Sequence, residues 1–187
     1  MSRLAALLFA VFLAACSNGE ARPGVTDVTG ASPDLAFTMT RATDGRVVDA
    51  NAYRGKVVIV YFGYTNCPDV CPATLANLTE AIQKLGPHAA AVQVLFVTVD
   101  PDRDTLPKLK EYTAAFDPHI DALRGDDNAL MRFARRYRVA YSVETSPTYD
   151  VMHSESVFFF DTTGRARLVA LKTDDTTAMA KDIASLF

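Results

Sequence analysis

Two cysteines, Cys67 and Cys71, stand four positions apart in the stretch YFGYTNCPDVCP, and each is followed by a proline. The apolar run KVVIVYF before them is typical of a buried strand, and PATLANLTEAIQKLG after them has the apolar spacing of a helix. A turn between these elements would place both thiols beside the helix N-terminus, where we expect a thiolate with a pKa below about 8.5. The pair is suited to act as a dithiol, a disulfide or a two-sulfur clamp on a soft metal ion.

The spacing of the cysteines separates these possibilities in part. Thioredoxin-type exchangers usually have two residues between their cysteines, whereas three stand between Cys67 and Cys71, which loosens the preference for a tight disulfide. Two thiolates bind Cu(I) linearly, and a histidine would complete a trigonal site. His153, just ahead of the apolar strand SVFFF, is the candidate, although a polar loop histidine is equally compatible with its position. His88 and His119 are predicted to be solvated loop residues.

Zinc is the alternative metal for such a site. A structural zinc site needs four protein ligands, and the fourth would have to come from Asp69 or Asp150. Two cysteines and one histidine without a fourth soft ligand favour copper. Met152 carries a soft thioether, but neighbouring residues of an extended segment point to opposite faces. We therefore expect Met152 to be a packing residue and not a ligand.

The N-terminal residues have the composition of an export signal. Residues 1–15 hold one arginine followed by an apolar stretch that is too short to cross a membrane, which predicts a signal peptide. The ending Leu-Ala-Ala-Cys resembles the lipobox of bacterial lipoproteins, and this resemblance implies lipidation of Cys16. Residues 16–33, rich in Gly, Pro, Ser and Thr, predict a flexible tether. The domain would then be exported, periplasmic or extracytoplasmic, and anchored to a membrane.

Residues 34–187 are predicted to form one α/β domain. Strand-like and helix-like segments follow in the order β-hairpin, β, α, β, α, α, β-hairpin, α, with the first hairpin turning at Asp44-Gly45. Strand–helix–strand units with apolar strands predict a mixed β-sheet flanked by helices. A redox-type cysteine pair between the first long strand and the first long helix is typical of thioredoxin-like folds. The formal charge of −3 offers no basic footprint, so nucleic acid is excluded as a partner.

Three segments carry a resemblance to a known family. GYTNCPDVCPATL, VTVDPDRDT and YDVMHS, in that order, resemble the Sco/SenC family of copper-binding assembly factors, and the likeness extends over nearly the whole domain. The resemblance implies a thioredoxin-like fold that binds copper, as Cu(I) or Cu(II), through Cys67, Cys71 and His153. Two positions depart from the family pattern: Asn66 stands where many members have His or Arg, and Met152 stands where many have Asp.

The resemblance also implies a function and partners. Family members help to assemble the dinuclear copper centre of cytochrome c oxidase, either by delivering copper or by reducing the cysteines of that centre. The expected partners are the copper subunit of the oxidase and other copper carriers or thiol reductants. A copper metallochaperone is the favoured function, and the alternative is an extracytoplasmic thiol–disulfide oxidoreductase that uses Cys67 and Cys71 as a redox pair. A thiol peroxidase is less favoured, because the negative charge of Asp69 works against an activated thiolate.

The turn VDPDRDT supplies further candidate residues. Asp100, Arg103 and Asp104 could form a docking cluster or support the ligands from behind, as could Asp150 beside His153. The alternative for this turn is a helix cap with Asp104 or Thr105 as the N-cap residue. Asp69 is expected to be exposed between the cysteines, where it is available to a partner protein.

Overall fold

The computed structural model describes residues 22–187, which form a mixed sheet with helices on both faces. The prediction of an α/β domain with a covered mixed sheet is confirmed. The strands are β1 (Val25–Asp27), β2 (Thr38–Arg41), β3 (Val47–Asp49), β4 (Val57–Gly63), β5 (Val92–Thr98), β6 (Ile120–Arg124), β7 (Tyr141–Glu144), β8 (Asp150–His153), β9 (Val157–Phe160) and β10 (Ala166–Ala170). The α-helices are α1 (Val70–Gln83), α2 (Leu106–Ala114), α3 (Asp127–Arg136) and α4 (Thr176–Ala184).

Eight strands form the main sheet in the order β1-β10-β9-β4-β5-β6-β2-β3. Strands β4, β5 and β6 run parallel, while β9 runs antiparallel to β4. Every residue of β4 and β5 is buried, as their largely apolar sequences predict for strands that are covered on both faces. The predicted hairpins β2–β3 and β9–β10 are confirmed. The carboxyl ends of β4 and β5 therefore lie side by side at one edge of the sheet.

Two apolar layers cover the sheet. Helices α1, α2 and α4 pack on one face, through residues such as Leu75, Leu109 and Ile183. Helix α3 packs on the other face through Leu130 and Phe133. None of the helices among residues 22–187 is long and apolar enough to cross a membrane.

Four strands, β1, β6, β7 and β8, were not predicted from the sequence. Strand β6 was missed because IDALR is short and lies between two helices. Strands β7 and β8 form a separate two-stranded hairpin in which Tyr141 pairs with His153 and Glu144 pairs with Asp150. The segment TYDVMHS was interpreted as a strand entry, whereas Asp150–His153 is itself a strand.

The prediction of a flexible tether up to residue 33 is wrong for residues 25–27. These residues form β1, which pairs antiparallel with β10 and covers the edge strand of the sheet. Arg22 adds an ion pair with Asp182 at 2.6 Å between Nη2 and Oδ2, which ties this segment to α4. The predicted signal peptide, Cys16 and residues 16–21 of the predicted tether lie outside the described residues.

Candidate metal centre

The cysteine pair lies at the carboxyl end of β4, where the chain leaves the sheet and enters α1. Cys71 lies in the first turn of α1 and is completely buried, and Cys67, in the preceding loop, is 8% exposed. Gly63 ends β4 directly beneath them. A Cβ atom at Gly63 would lie 2.7 Å from the Phe96 ring and 2.9 Å from Cys71 Sγ, so this position has no room for a side chain. Both thiols are free and face each other.

Each sulfur accepts one hydrogen bond from a fixed donor. The Cys71 backbone N–H donates to Cys67 Sγ at 3.4 Å, and the Tyr61 hydroxyl donates to Cys71 Sγ at 3.6 Å. Burial nevertheless raises the pKa of the Cys71 thiol to about 12. The prediction of a lowered thiol pKa is therefore wrong for Cys71, because the loss of solvent outweighs the helix N-terminus and the hydrogen bonds.

The loop that carries Cys67 is held by a buried carboxylate from the turn that follows the neighbouring strand β5. Asp104 is fully buried and accepts hydrogen bonds from the Thr65 backbone N–H at 3.0 Å, the Thr65 hydroxyl at 2.5 Å and the Thr98 hydroxyl at 2.7 Å. Three donors satisfy this carboxylate, so its burial is compatible with a stable fold. The contact follows from the parallel pairing of β4 and β5, because the segments after parallel strands meet at the same edge.

The third residue of the candidate site, His153, is the last residue of β8 in the β7–β8 hairpin. His153 Nε2 lies 3.4 Å from Cys71 Sγ, and Nδ1 lies 3.0 Å from the Ser154 carbonyl oxygen. A carbonyl only accepts hydrogen bonds, so Nδ1 carries the proton of the neutral ring and Nε2 presents its lone pair to the cysteines. The rings of Tyr61 and Tyr64 pack edge-on against the imidazole at centroid distances of 6.1 and 5.8 Å. The tautomer needed for metal binding through Nε2 is thus fixed by the backbone.

The three side chains form one compact donor group. The Sγ atoms of Cys67 and Cys71 and a ring nitrogen of His153 lie within 4.8 Å of one another. Ligand atoms bound to one ion at about 2.0–2.3 Å stand roughly 3.5–4 Å apart, so a metal ion would require only small movements. Neither Asp69 nor Asp150 belongs to this group; both are exposed, as predicted for Asp69. Among the described residues the group has two sulfurs, one nitrogen and no fourth ligand, which fits copper better than structural zinc.

The other histidines and Met152 lie apart from this group. His88 is exposed and packs near Phe187, and exposed His119 has Nδ1 2.8 Å from Asp117 Oδ1, so both are surface residues as predicted. Met152 points away from the cysteines, as the alternation of a strand requires. It is 63% exposed, so its interpretation as a packing residue is wrong: β8 belongs to a two-stranded hairpin whose outer face lies in solvent.

The VDPDRDT turn both caps a helix and supports the neighbouring loops. Thr105 is the N-cap of α2, and its hydroxyl accepts from the Lys108 backbone N–H at 3.4 Å. Asp100 and Asp104 are buried, so they support the neighbouring loops and do not form an exposed docking surface. Sequence reasoning missed the partners of these carboxylates, Thr65 and Tyr149. The only signal for them was their closeness in sequence to Cys67 and His153.

Comparisons with known proteins agree with this geometry. Residues 28–187 match the family model described as SCO1/SenC. A SCO2-like protein of Rickettsia conorii is 31% identical over 126 residues, which is 65% of this chain and 62% of the relative. The mitochondrial SCO2 homolog of Bos taurus is 37% identical over 142 residues, 70% of this chain and 53% of the relative. The chain thus spans only about half to three fifths of the length of these relatives.

Solved structures of similar chains share the fold. The structure of Bradyrhizobium japonicum ScoI with copper bound superposes with a TM-score of 0.74 at 31% identity, covering 83% of this chain and 100% of that one. Yeast Sco1 with copper bound gives a TM-score of 0.70 at 30% identity, covering 83% of this chain and 91% of that one. The predicted thioredoxin-like fold is confirmed by this likeness and by the sheet topology.

Proposed function

Since the chain belongs to the SCO1/SenC family, we propose that it is a copper metallochaperone that binds one copper ion through Cys67, Cys71 and His153. The observation that carries this proposal is the donor group itself, two sulfurs and one imidazole nitrogen within 4.8 Å of one another. The homologous ScoI and Sco1 structures with copper bound support the choice of metal. Copper is the cargo of the protein, and its chemistry here is ligand exchange with an acceptor.

The residues of the chain divide this task between them. Cys67 and Cys71 supply thiolates, and the hydrogen bonds from the Cys71 N–H and the Tyr61 hydroxyl offset part of the negative charge on sulfur. His153 contributes a neutral nitrogen whose orientation is set by Ser154. An ion held by three ligands, one of them on a partly exposed side chain, can be displaced by ligands from another protein. A closed four-ligand site would oppose such a transfer.

The acceptor that we propose is the copper subunit of cytochrome c oxidase, since BsSco, which shares the fold, is a member of the Sco family of cytochrome c oxidase assembly proteins. Other copper carriers or thiol reductants would load or reduce the site. The sequence of residues 1–16 supports export to the periplasmic or extracytoplasmic side of a membrane and anchoring through lipidated Cys16. Asp69 is exposed beside the site and is available for contact with the acceptor.

The alternative of a thiol–disulfide oxidoreductase is less well supported. An attacking cysteine has to be accessible and partly ionised. Cys71 is completely buried and burial raises its pKa to about 12, while Cys67 is only 8% exposed. A redox role therefore requires the loop to open, whereas metal binding requires only small movements of the three side chains.

A copper titration tests the proposal. The reduced protein should bind one Cu(I) per chain in competition with a chelator, and zinc should not compete at equal concentration. Cys71→Ala should reduce copper affinity by at least about a thousandfold, because only one of the two sulfur ligands then remains beside His153. The matched control, Thr79→Ala on the same helix, should bind copper like the wild type. Equal copper affinity of the wild type and Cys71→Ala would refute the proposed site.

A further inference from the structure

We propose that Tyr149 is a positioning residue for His153 and that the turn 100–104 holds both halves of the copper site in register. The inference rests on the proposed function and adds a residue to it that lies outside the donor group. Two separate sets of contacts, both made by side chains of this turn, support the inference. One set reaches the cysteine loop and the other reaches the hairpin that bears the histidine.

The first set is centred on Asp104. Its buried carboxylate accepts from the N–H and hydroxyl of Thr65, two residues before Cys67. The Asp104 backbone N–H donates to the Asp100 carbonyl oxygen at 3.0 Å, so the two aspartates belong to one rigid turn. Any movement of this turn is therefore transmitted to the cysteine loop.

The second set is centred on Asp100, which is 1% exposed. The Tyr149 hydroxyl donates to Asp100 Oδ1 at 2.6 Å, and Arg103 Nε donates to Asp100 Oδ2 at 2.5 Å. The Arg103 guanidinium also stacks on the Tyr149 ring, with Cζ 3.6 Å from the ring centroid. A hydrogen bond, an ion pair and a cation–π contact therefore close a three-membered cluster, which we call the Tyr149 latch.

The latch acts on the strand that presents His153. Tyr149 directly precedes β8. Because side chains alternate between the two faces of an extended strand, residues 149, 151 and 153 share one face. Val151 between them is 7% exposed and packs into the core. At the other end of the hairpin, Ser154 bonds to Ala140 through its backbone N–H at 2.9 Å. The Tyr149 latch therefore holds the loop end of the hairpin through polar contacts. The hydrogen bond between Ser154 and Ala140 holds the base of the hairpin.

A loosened hairpin should present Nε2 to the cysteines for a smaller fraction of the time. Apparent affinity falls by that fraction, because only the competent arrangement binds the ion with three ligands. The cysteine loop keeps its own fastening through Asp104, so two-sulfur binding should remain. The latch therefore predicts a loss that depends on His153.

The variant Tyr149→Phe tests this prediction, since it removes one hydroxyl and leaves the stacked ring in place. We expect Cu(II) affinity of the full-length reduced chain to fall by about 3- to 10-fold. Electron paramagnetic resonance should show weakened nitrogen coupling from the imidazole, while the sulfur-to-copper charge-transfer band persists. In the His153→Ala background, Tyr149→Phe should have no further effect. Tyr141→Phe, which removes a phenol hydroxyl from the neighbouring strand, is the matched control and should match the wild type.

The outcomes separate this inference from the proposed function. If the wild type binds copper through His153 but Tyr149→Phe has unchanged affinity and nitrogen coupling, the latch is refuted and the copper site stands. An equal loss with and without His153 would also refute it, because the effect would then be a general one. If His153→Ala binds copper as tightly as the wild type, the three-ligand site and the latch fail together.

Discussion

The two halves of the proposed copper site are built in different ways. The cysteine half joins the main sheet to α1, and its residues belong to the apolar layer on that face. The histidine half is a two-stranded hairpin outside the main sheet, and it packs through Val151 into the layer on the opposite face. The ligands of the two halves meet at the carboxyl edge of β4. A rigid half and a more weakly fastened half imply that the imidazole is the first ligand to be displaced when copper is transferred.

The cysteine half and the histidine half also differ in solvent exposure. Cys67 and Cys71 are buried, whereas His153 is partly exposed and its strand neighbours Asp150 and Met152 face solvent. A partner protein can therefore approach the histidine side without unfolding the core. Three predictions use this comparison, in order from the largest expected effect to the smallest.

The first prediction concerns the fastening of the cysteine half. Asp104→Asn should lower the free energy of unfolding by about 2–3 kcal/mol, because the amide cannot accept from all three donors and places its own NH₂ among them. Urea denaturation of the reduced protein measures this change. Asp102→Asn, at an exposed position of the same turn, is the control and should stay within about 0.5 kcal/mol of the wild type. Equal effects of the two variants would show that the cysteine half is not held by Asp104.

The second prediction concerns pH. Copper binds the thiolate, and burial raises the pKa of Cys71 to about 12, so its proton competes with the metal throughout the neutral range. Copper affinity should therefore rise with pH, by about tenfold per unit for each thiol that loses its proton on binding. Competition titrations between pH 7.5 and 9.5 measure the slope.

The dependence of copper affinity on pH also distinguishes the contributions of the two halves of the site. It originates in the cysteine half, so His153→Ala should lower the whole affinity curve without flattening it. A pH-independent affinity of the wild type would contradict the assignment of a protonated, buried Cys71.

The third prediction is the smallest and concerns the outer face of the hairpin. Met152→Ala should change copper affinity by less than about twofold and the free energy of unfolding by less than about 0.5 kcal/mol, because the side chain is 63% exposed. Val151→Ala is the matched control at the buried neighbouring position, and it should cost about 1–3 kcal/mol of stability. A loss of affinity in Met152→Ala as large as that in His153→Ala would make Met152 a ligand.

The cysteine half could be predicted from the sequence more fully than the histidine half. A continuous apolar strand, a turn and a periodic helix follow one another around Cys67 and Cys71, so local pattern alone placed both thiols at a helix start. The pKa of Cys71 could not be predicted in the same way. The direction of its shift depends on burial in the folded chain, which has a larger effect than the hydrogen bonds that lower the pKa.

The histidine half depends on contacts that no local pattern encodes. Strands β7 and β8 have four residues each, so the alternation of Tyr-Ser-Val-Glu in β7 is too short to mark a strand, and Asp-Val-Met-His in β8 neither alternates nor forms an apolar run. The approach of His153 to Cys71 spans 82 positions of sequence; the position of His153 before an apolar strand left a loop histidine equally compatible, and the family resemblance favoured the ligand. The fastening of the hairpin by Tyr149 and Asp100 required the structure.

The most direct test of the account compares copper binding by the reduced wild type and by His153→Ala, each titrated with Cu(I) and Cu(II) against a competing chelator. The account predicts one copper per wild-type chain and an affinity at least about 100-fold lower for His153→Ala, more than the loss typical of a residue that only supports a ligand. Nitrogen coupling in the Cu(II) spectrum should disappear with the imidazole. Unchanged affinity and an unchanged ligand set in His153→Ala would contradict a site shared between the two halves.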